Sequence, residues 1–325
     1  MKRCAPLRPL PGAVLVGVLV AGVALALPVH FFDGAGDVFW ALDAAQALAT
    51  GRDPYAGPAG PEAVPYPLPA ALFGLPLLWL PPPLAGAVFV GLCAALLTWC
   101  LLRAAPWRLW VLASFPFFCA VYFRQWSPLI MAAWFVPVLA PLLVLVKPQI
   151  ALPVALQRLT WRGVALAAAV LVLSLLIDPG WPRRWLARVG GYQAVVPALE
   201  LPFGPVLLLA LLRWRDPRAR LLALMALLPL RGVYDLCALW LVPRSARQAS
   251  TLALLSWSIY LLMLVDGPTR DGVVLLVFLP ALVLLFWPQP FVADATAKRY
   301  VAAGAGELRL TTSPTPGQGQ ADLSR

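Results

Sequence analysis

The residues with chemistry in reach are few, and they fall into three groups. One is the acidic segment GDVFWALDAAQALATGRDPY, with Asp37 near its start. The second comprises RQW (residues 124–126) and, some twenty residues later, Lys147-Pro148-Gln149. The third is RGVYD (residues 231–235). Their neighbours are almost wholly apolar. A charged side chain at the centre of a bilayer costs about 3 kcal/mol or more, so such residues are functional candidates by default. The competing account is that they pair with one another and only hold a bundle together. Lys147, Arg231 and Arg124 can supply positive charge to an anion, and arginine can grip a phosphate with two parallel hydrogen bonds. For Lys147 the alternative is an ion pair with an acid such as Asp235, which would then orient it. A carboxylate such as Asp37, opening a helix over GDVFWALDAAQAL, can be no more than a cap. The spacing leaves Phe39, Trp40 and Leu42 available to a membrane interface. Tyr55, Tyr66 and Trp126 can anchor the chain at the lipid boundary, the more frequent use of aromatics in a membrane protein. Asp53, before a proline in GRDPY, reads as a turn-former, and His30 as an interfacial residue.

These groups must be positioned by helices in a membrane. Of 325 residues, 62% are hydrophobic and 12% charged, and the mean hydropathy is +0.83, which excludes a water-soluble enzyme. Stretches such as LAGAVFVGLCAALLTWCLL are continuously apolar, not alternating, so the spans are helical and not barrel strands. The net charge of +11, from 22 Arg and 3 Lys against 14 acids, sits in short clusters between apolar runs. That placement follows the positive-inside rule and gives no support to nucleic-acid binding. The five cysteines have no paired spacing and read as buried small hydrophobes.

Lys2, Arg3 and Arg8 place the N-terminus in the cytoplasm, so an uncleaved span over residues 11–29 delivers an acidic outer loop, 30–67. Residues 68–81 are apolar but too short to cross, and 83–102 return to Arg103 and Arg108. Residues 107–122 go out again. The stretch 126–156 is too long for one crossing and is broken by Pro128, Pro137, Pro141, Pro148 and Pro153. Residues 163–177 then go out, 204–212 return, 221–242 are interrupted by RGVYD, and 250–265 and 272–287 form a last pair. Arg183, Arg184 and Arg188 violate positive-inside, and WPRRWLARV reads as an interfacial amphipathic helix able to meet lipid phosphates. The expectation is an all-α polytopic membrane protein of about ten to twelve hydrophobic segments. Residues 1–288 form the membrane domain, and 289–325 a disordered cytoplasmic tail rich in Gly, Ser, Thr and Pro. Both termini are expected on the cytoplasmic side of the membrane.

The segment GDVFWALDAAQALATGRDPY, followed after a spacer by YPLPAALFGLPLLWLPPPLA, resembles the first extracytoplasmic loop of polyprenyl-phosphate-dependent mannosyltransferases of GT-C fold, glycosyltransferase family 87. The family pattern is an Asp-aromatic pair soon after the first span, Gly-x-Asp-Pro-Tyr, then Tyr-Pro-Pro leading into an apolar stretch. RQW, the KPQ element and the late YD are similar to the family's Gly-Gln, Lys-Pro and Tyr-Asp elements. Arg124 stands where the family usually has Gly, Leu68 where the second Pro of Tyr-Pro-Pro falls, and residues 127–157 are shorter than usual.

The resemblance implies transfer of a hexose, typically mannose, from a polyprenyl-phosphate sugar donor to a hydroxyl of a glycolipid or glycan acceptor outside the membrane. It makes Asp37 the general base, Lys147, Arg231 and Arg124 the donor-phosphate cations, and Tyr55, Tyr66, Gln125, Gln149, Tyr234 and Asp235 substrate-binding residues. No metal or cofactor is required, because a phosphate leaving group needs cations more than a proton donor. The rival class is a membrane transporter or lipid flippase whose path these charges would line.

Overall fold

The computed structural model describes residues 9–27, 37–56, 65–189, 195–266 and 270–287. The chain divides after Phe286, so the expected disordered tail, like His30, lies outside the described residues. Among the described residues the secondary structure is helical, with one isolated bridge between Val195 and Leu230.

The chain opens with α1 (Pro9–Ala26), then come α2 (Asp37–Ala49) and α3 (Pro69–Gly74), and α4 (Pro82–Ala104) follows. Helices α1 and α4 are long and apolar enough to cross a membrane. They approach through small residues: a Cβ on Gly17 would lie 2.7 Å from Ala95 Cβ and 2.8 Å from the Gly91 carbonyl oxygen. Gly74 does the same between α3 and α2, where a Cβ would meet the Ala41 carbonyl oxygen at 2.5 Å. The expected crossing over residues 107–122 is instead a 3-10 helix, Pro106–Ala113, and a separate α5 (Phe115–Tyr122) capped by Ser114. The stretch 126–156 becomes α6 (Ser127–Ala133), α7 (Leu139–Val144) and α8 (Pro148–Gln157). Here proline initiates as much as it breaks. Pro128 and Pro148 occupy first-turn positions, where the missing N–H is no loss.

Helix α9 (Trp161–Ile177) turns by 98° into α10 (Trp181–Val189), the segment expected to be interfacial. A 3-10 helix, Gly204–Arg213, leads to α11 (Pro217–Leu227), and after a break a second long 3-10 helix, Val233–Leu241, follows. Helix α12 (Ala246–Asp266) holds a further candidate span, Ala246–Val265. The described chain ends with α13 (Arg270–Val273), a π-helical turn and α14 (Leu279–Phe286). The ten to twelve expected segments therefore resolve into three helices of crossing length, or four counting the bent α9–α10 pair. The remainder are short helical pieces.

Two ends of this bundle differ in charge. Arg108 donates to the carbonyls of Leu241 and Pro243, Arg220 to Gln157, and Arg244 pairs with Asp216. The clusters expected in the cytoplasm thus meet. Along α4, Gly86 faces Phe39 and Arg124 at one end, and Arg103 lies about 26 Å further on, just before Arg108. Cys93, Cys100, Cys119 and Cys237 are free and buried, as read from sequence, and Cys4 lies outside the described residues.

Candidate functional site

Four interruptions of the helical chain converge to build the site. Asp37 stands in the first turn of α2, where the helix dipole favours a carboxylate. Lys147 is the residue before Pro148, at φ −138° and ψ 77°, and joins α7 to α8. Gln125 lies in the break between α5 and α6, and Asp235 in the first turn of the 3-10 helix Val233–Leu241. Backbone at helix ends carries unpaired polar groups, so such breaks are tolerated inside a membrane protein where they surround a polar cavity.

Lys147 is the hub. Its Nζ lies 2.8 Å from Asp37 Oδ2 and 2.8 Å from Asp235 Oδ1, and donates to Gln125 Oε1 at 2.9 Å. The Asp235 contact is an ion pair out of line for a hydrogen bond, since Oδ1 accepts none, while Oδ2 accepts from the Arg231 N–H at 2.9 Å. The ammonium also sits 4.6 Å over the Tyr234 ring. Lys147 and Asp235 have no exposed side-chain surface, whereas Asp37 keeps 12%. Arg231 lies 4.3 Å over the Tyr66 ring. Burial pushes the Asp37 carboxyl up, but the charges of Lys147 and then Arg231 outweigh it and hold the group below its ordinary value. Tyr66, whose buried hydroxyl points at Asp37 without closing a well-formed hydrogen bond, is pushed up by burial and by that carboxylate.

The sequence-derived set is therefore largely brought together: Asp37, Lys147, Arg231, Gln125, Tyr66, Tyr234 and Asp235 share one cluster. The lysine that pairs with Asp235 also reaches Asp37. Arg124 is placed differently. Its guanidinium donates to the backbone carbonyls of Ala24, Leu27 and Tyr122, stitching α1 to α5. Its φ of +48° is a left-handed conformation of the kind that favours glycine. Tyr55 stands one layer back, its hydroxyl donating to the Tyr66 carbonyl at 3.1 Å. Gln149 is separate too, its Nε2 buried without a hydrogen-bond partner. Asp53 is the turn-former expected, accepting from the Tyr55 N–H at 2.9 Å. Leu42 is buried, and Phe39 and Trp40 pack on the core, so α2 faces protein where an interface was expected.

Two supports escaped the sequence argument. Trp40 packs on both Tyr55 and Tyr66, with ring centroids 5.9 Å apart in each case; its i+3 spacing from Asp37 puts it on the same helix face and was a usable signal. Helix α10 clamps the loop that carries the tyrosines: Arg188 donates to the Tyr55 carbonyl at 2.5 Å and Trp185 to the Pro65 carbonyl at 3.1 Å. Arg184 pairs with Asp178 and Asp53, and Arg183 stays exposed. Among the described residues no group of three His, Cys, Asp or Glu side chains is placed to hold a metal ion. Compared with known proteins, the chain matches no family model, no curated protein and no solved structure.

Proposed function

We propose that this protein is an integral-membrane glycosyltransferase that transfers a hexose, typically mannose, from a polyprenyl-phosphate sugar to a hydroxyl of a glycolipid or glycan on the outer face of the cytoplasmic membrane. The observation that carries the proposal is the Asp37 cluster: the first-loop carboxylate of the resembled motif stands, partly open, beside a lysine and an arginine, with Tyr66 and Trp40 along its edge. Its place at the end of the bundle remote from the arginine clusters supports an outward-facing site.

In this reading the acceptor hydroxyl attacks the anomeric carbon in line with the departing phosphate. Asp37 takes the hydroxyl proton, a role worth about 10²–10⁴-fold in rate. Arg231 and Lys147 face the phosphate oxygens as negative charge builds on them. Asp235 and Gln125 position Lys147. Arg124, bound to backbone carbonyls, is left out of this set.

A second reading is a transporter or flippase, because a buried lysine bridging two aspartates is also the equipment of a proton or cation path. One assay separates them. Membranes containing the wild-type chain or Asp37→Asn are supplied with radiolabelled polyprenyl-phosphate mannose, and label is followed into lipid-extractable or glycan product. Transfer by the wild type that falls by about 10²-fold or more in Asp37→Asn, at equal protein level, supports the base assignment. No transfer from any polyprenyl-phosphate hexose, with label crossing the bilayer unchanged, replaces the enzyme with the transporter.

A further inference from the structure

Asp37 as found here is a poor base. One oxygen already accepts from Lys147, and its basicity is lowered by the charges around it. The ion contacts of Lys147 are not equivalent. Asp235 is fully enclosed, so breaking its contact would strand a buried carboxylate at a cost of several kcal/mol. Asp37 has exposed surface, and its partner can leave while solvent or substrate meets the freed oxygen. Gln125 holds Nζ from a third side and is neutral. The weakest link of the hub is therefore the one to Asp37, and the ligand able to break it is an anion.

Resting on the glycosyltransferase reading, we infer that Lys147 is exchanged between Asp37 and the phosphate of the donor, so that Asp37 becomes a competent base only once the donor occupies the site. In the resting protein the cluster holds two carboxylates against Lys147 and Arg231. The incoming phosphodiester adds one negative charge and draws Nζ toward itself, while Asp235 and Gln125 keep the lysine within the site. Asp37 is left with an unoccupied lone pair and a higher affinity for a proton. The acceptor O–H then gives its proton to Asp37, the new bond forms at the anomeric carbon, and the C–O bond to phosphate breaks with its electrons passing to the phosphate oxygen. The resulting phosphomonoester carries the extra charge beside Lys147 and Arg231. Product release returns Lys147 to Asp37, which sheds its proton to water. An unoccupied site thus keeps its base blocked, and productive binding is ordered, donor first.

The groups around Asp37 come from four stretches of the chain. Lys147 comes from the α7–α8 break; Arg231, Tyr234 and Asp235 from the break before the 3-10 helix Val233–Leu241; Tyr66 from the loop before α3. Gln125 comes from the α5–α6 break, with Arg124 beside it turned onto carbonyls. Helices α3 and α4 present no charged side chain at this end.

The test uses the full chain in lipid nanodiscs and farnesyl phosphate, a short isoprenyl monophosphate without sugar, as probe. Infrared difference spectra across pH report the protonated carboxyl C=O stretch, and the band absent in Asp37→Asn belongs to Asp37. The expected result is that saturating probe raises the Asp37 midpoint by about one pH unit or more, the size associated with losing a cation at contact distance. In Lys147→Met the midpoint is already raised, and the probe moves it little. An unmoved midpoint under demonstrated probe binding, or an equal displacement in Lys147→Met, overturns the exchange. Failure of the probe to bind, measured by equilibrium dialysis, overturns it too. Should Lys147→Met fail to fold, an unmoved wild-type midpoint under demonstrated probe binding still overturns the exchange. The base assignment fails separately, if Asp37→Asn retains transfer while the midpoint displacement stands.

Discussion

Replacing Lys147 by methionine keeps most of the stem volume and removes every N–H of the hub. Nζ now satisfies Asp37 and Asp235, each at 2.8 Å, and Gln125 at 2.9 Å, all without solvent access to the lysine. Deleting one partner of a buried ion pair costs about 3–5 kcal/mol, because the other charge is left uncompensated. Here two carboxylates are left, but Arg231 still acts on Asp37, and its N–H still serves Asp235. Asp37 can also take up a proton. The loss for Lys147→Met should therefore stay within about 3–5 kcal/mol instead of doubling. Adding Asp235→Asn removes one stranded carboxylate, so the double variant should be more stable than the sum of the singles by about 1–3 kcal/mol. The pH dependence has a definite sign. In the wild type the Asp37 carboxyl is held below its ordinary value, so its contribution is complete above about pH 5 and disappears as pH falls through the depressed value. In Lys147→Met the burial of Asp37 is opposed by Arg231 without the lysine, so its proton affinity rises and protonation relieves that variant as pH falls. The gap between the two proteins must narrow on acidification. Denaturant unfolding in mixed micelles, followed by tryptophan fluorescence at pH 7 and pH 5, measures both effects. Singles that add to within about 0.5 kcal/mol, with a gap independent of pH, would refute the assignment of Lys147 as the shared counter-ion of two acids.

Other positions give sharper structural outcomes. Arg108→Met strands the Leu241 and Pro243 carbonyls at the end of a 3-10 helix and should cost about 1–3 kcal/mol in the same unfolding assay, with Arg108→Lys intermediate. Gly17→Val forces α1 off α4, where even a Cβ would stand 2.7 Å from Ala95, and should cost about 1–3 kcal/mol and raise protease sensitivity of the α1 segment. Arg184→Gln loses pairs to Asp178 and Asp53 that are part-exposed, so its effect on stability should stay under about 1 kcal/mol and shrink further at high salt.

The identity of the polar cluster was legible because a lysine, two aspartates and an arginine stand out in an apolar chain and repel lipid wherever they fall. Which helix ends would meet was not. Apolarity and length describe a segment's solvent but not whether it crosses. Residues 107–122 and 126–156 satisfy the composition of spans, yet Ser114 caps a new helix and Pro128 and Pro148 start others, so they pack as short pieces. Proline was visible as punctuation, but its first-turn position, which makes it a starter, depends on the φ and ψ of the residue before it. Arg124 shows the same limit at one side chain. Its type announces a cation, whereas its direction follows from a left-handed backbone at φ +48° that turns the guanidinium onto α1 carbonyls. Lys147 differs because it stands at the break before Pro148, where its side chain meets Asp37, Gln125 and Asp235 from the other breaks. A charge in an apolar chain is thus readable as a demand for a partner. The partner itself is chosen by backbone geometry at the break, and here that choice ties the first-loop carboxylate to a residue more than a hundred positions away.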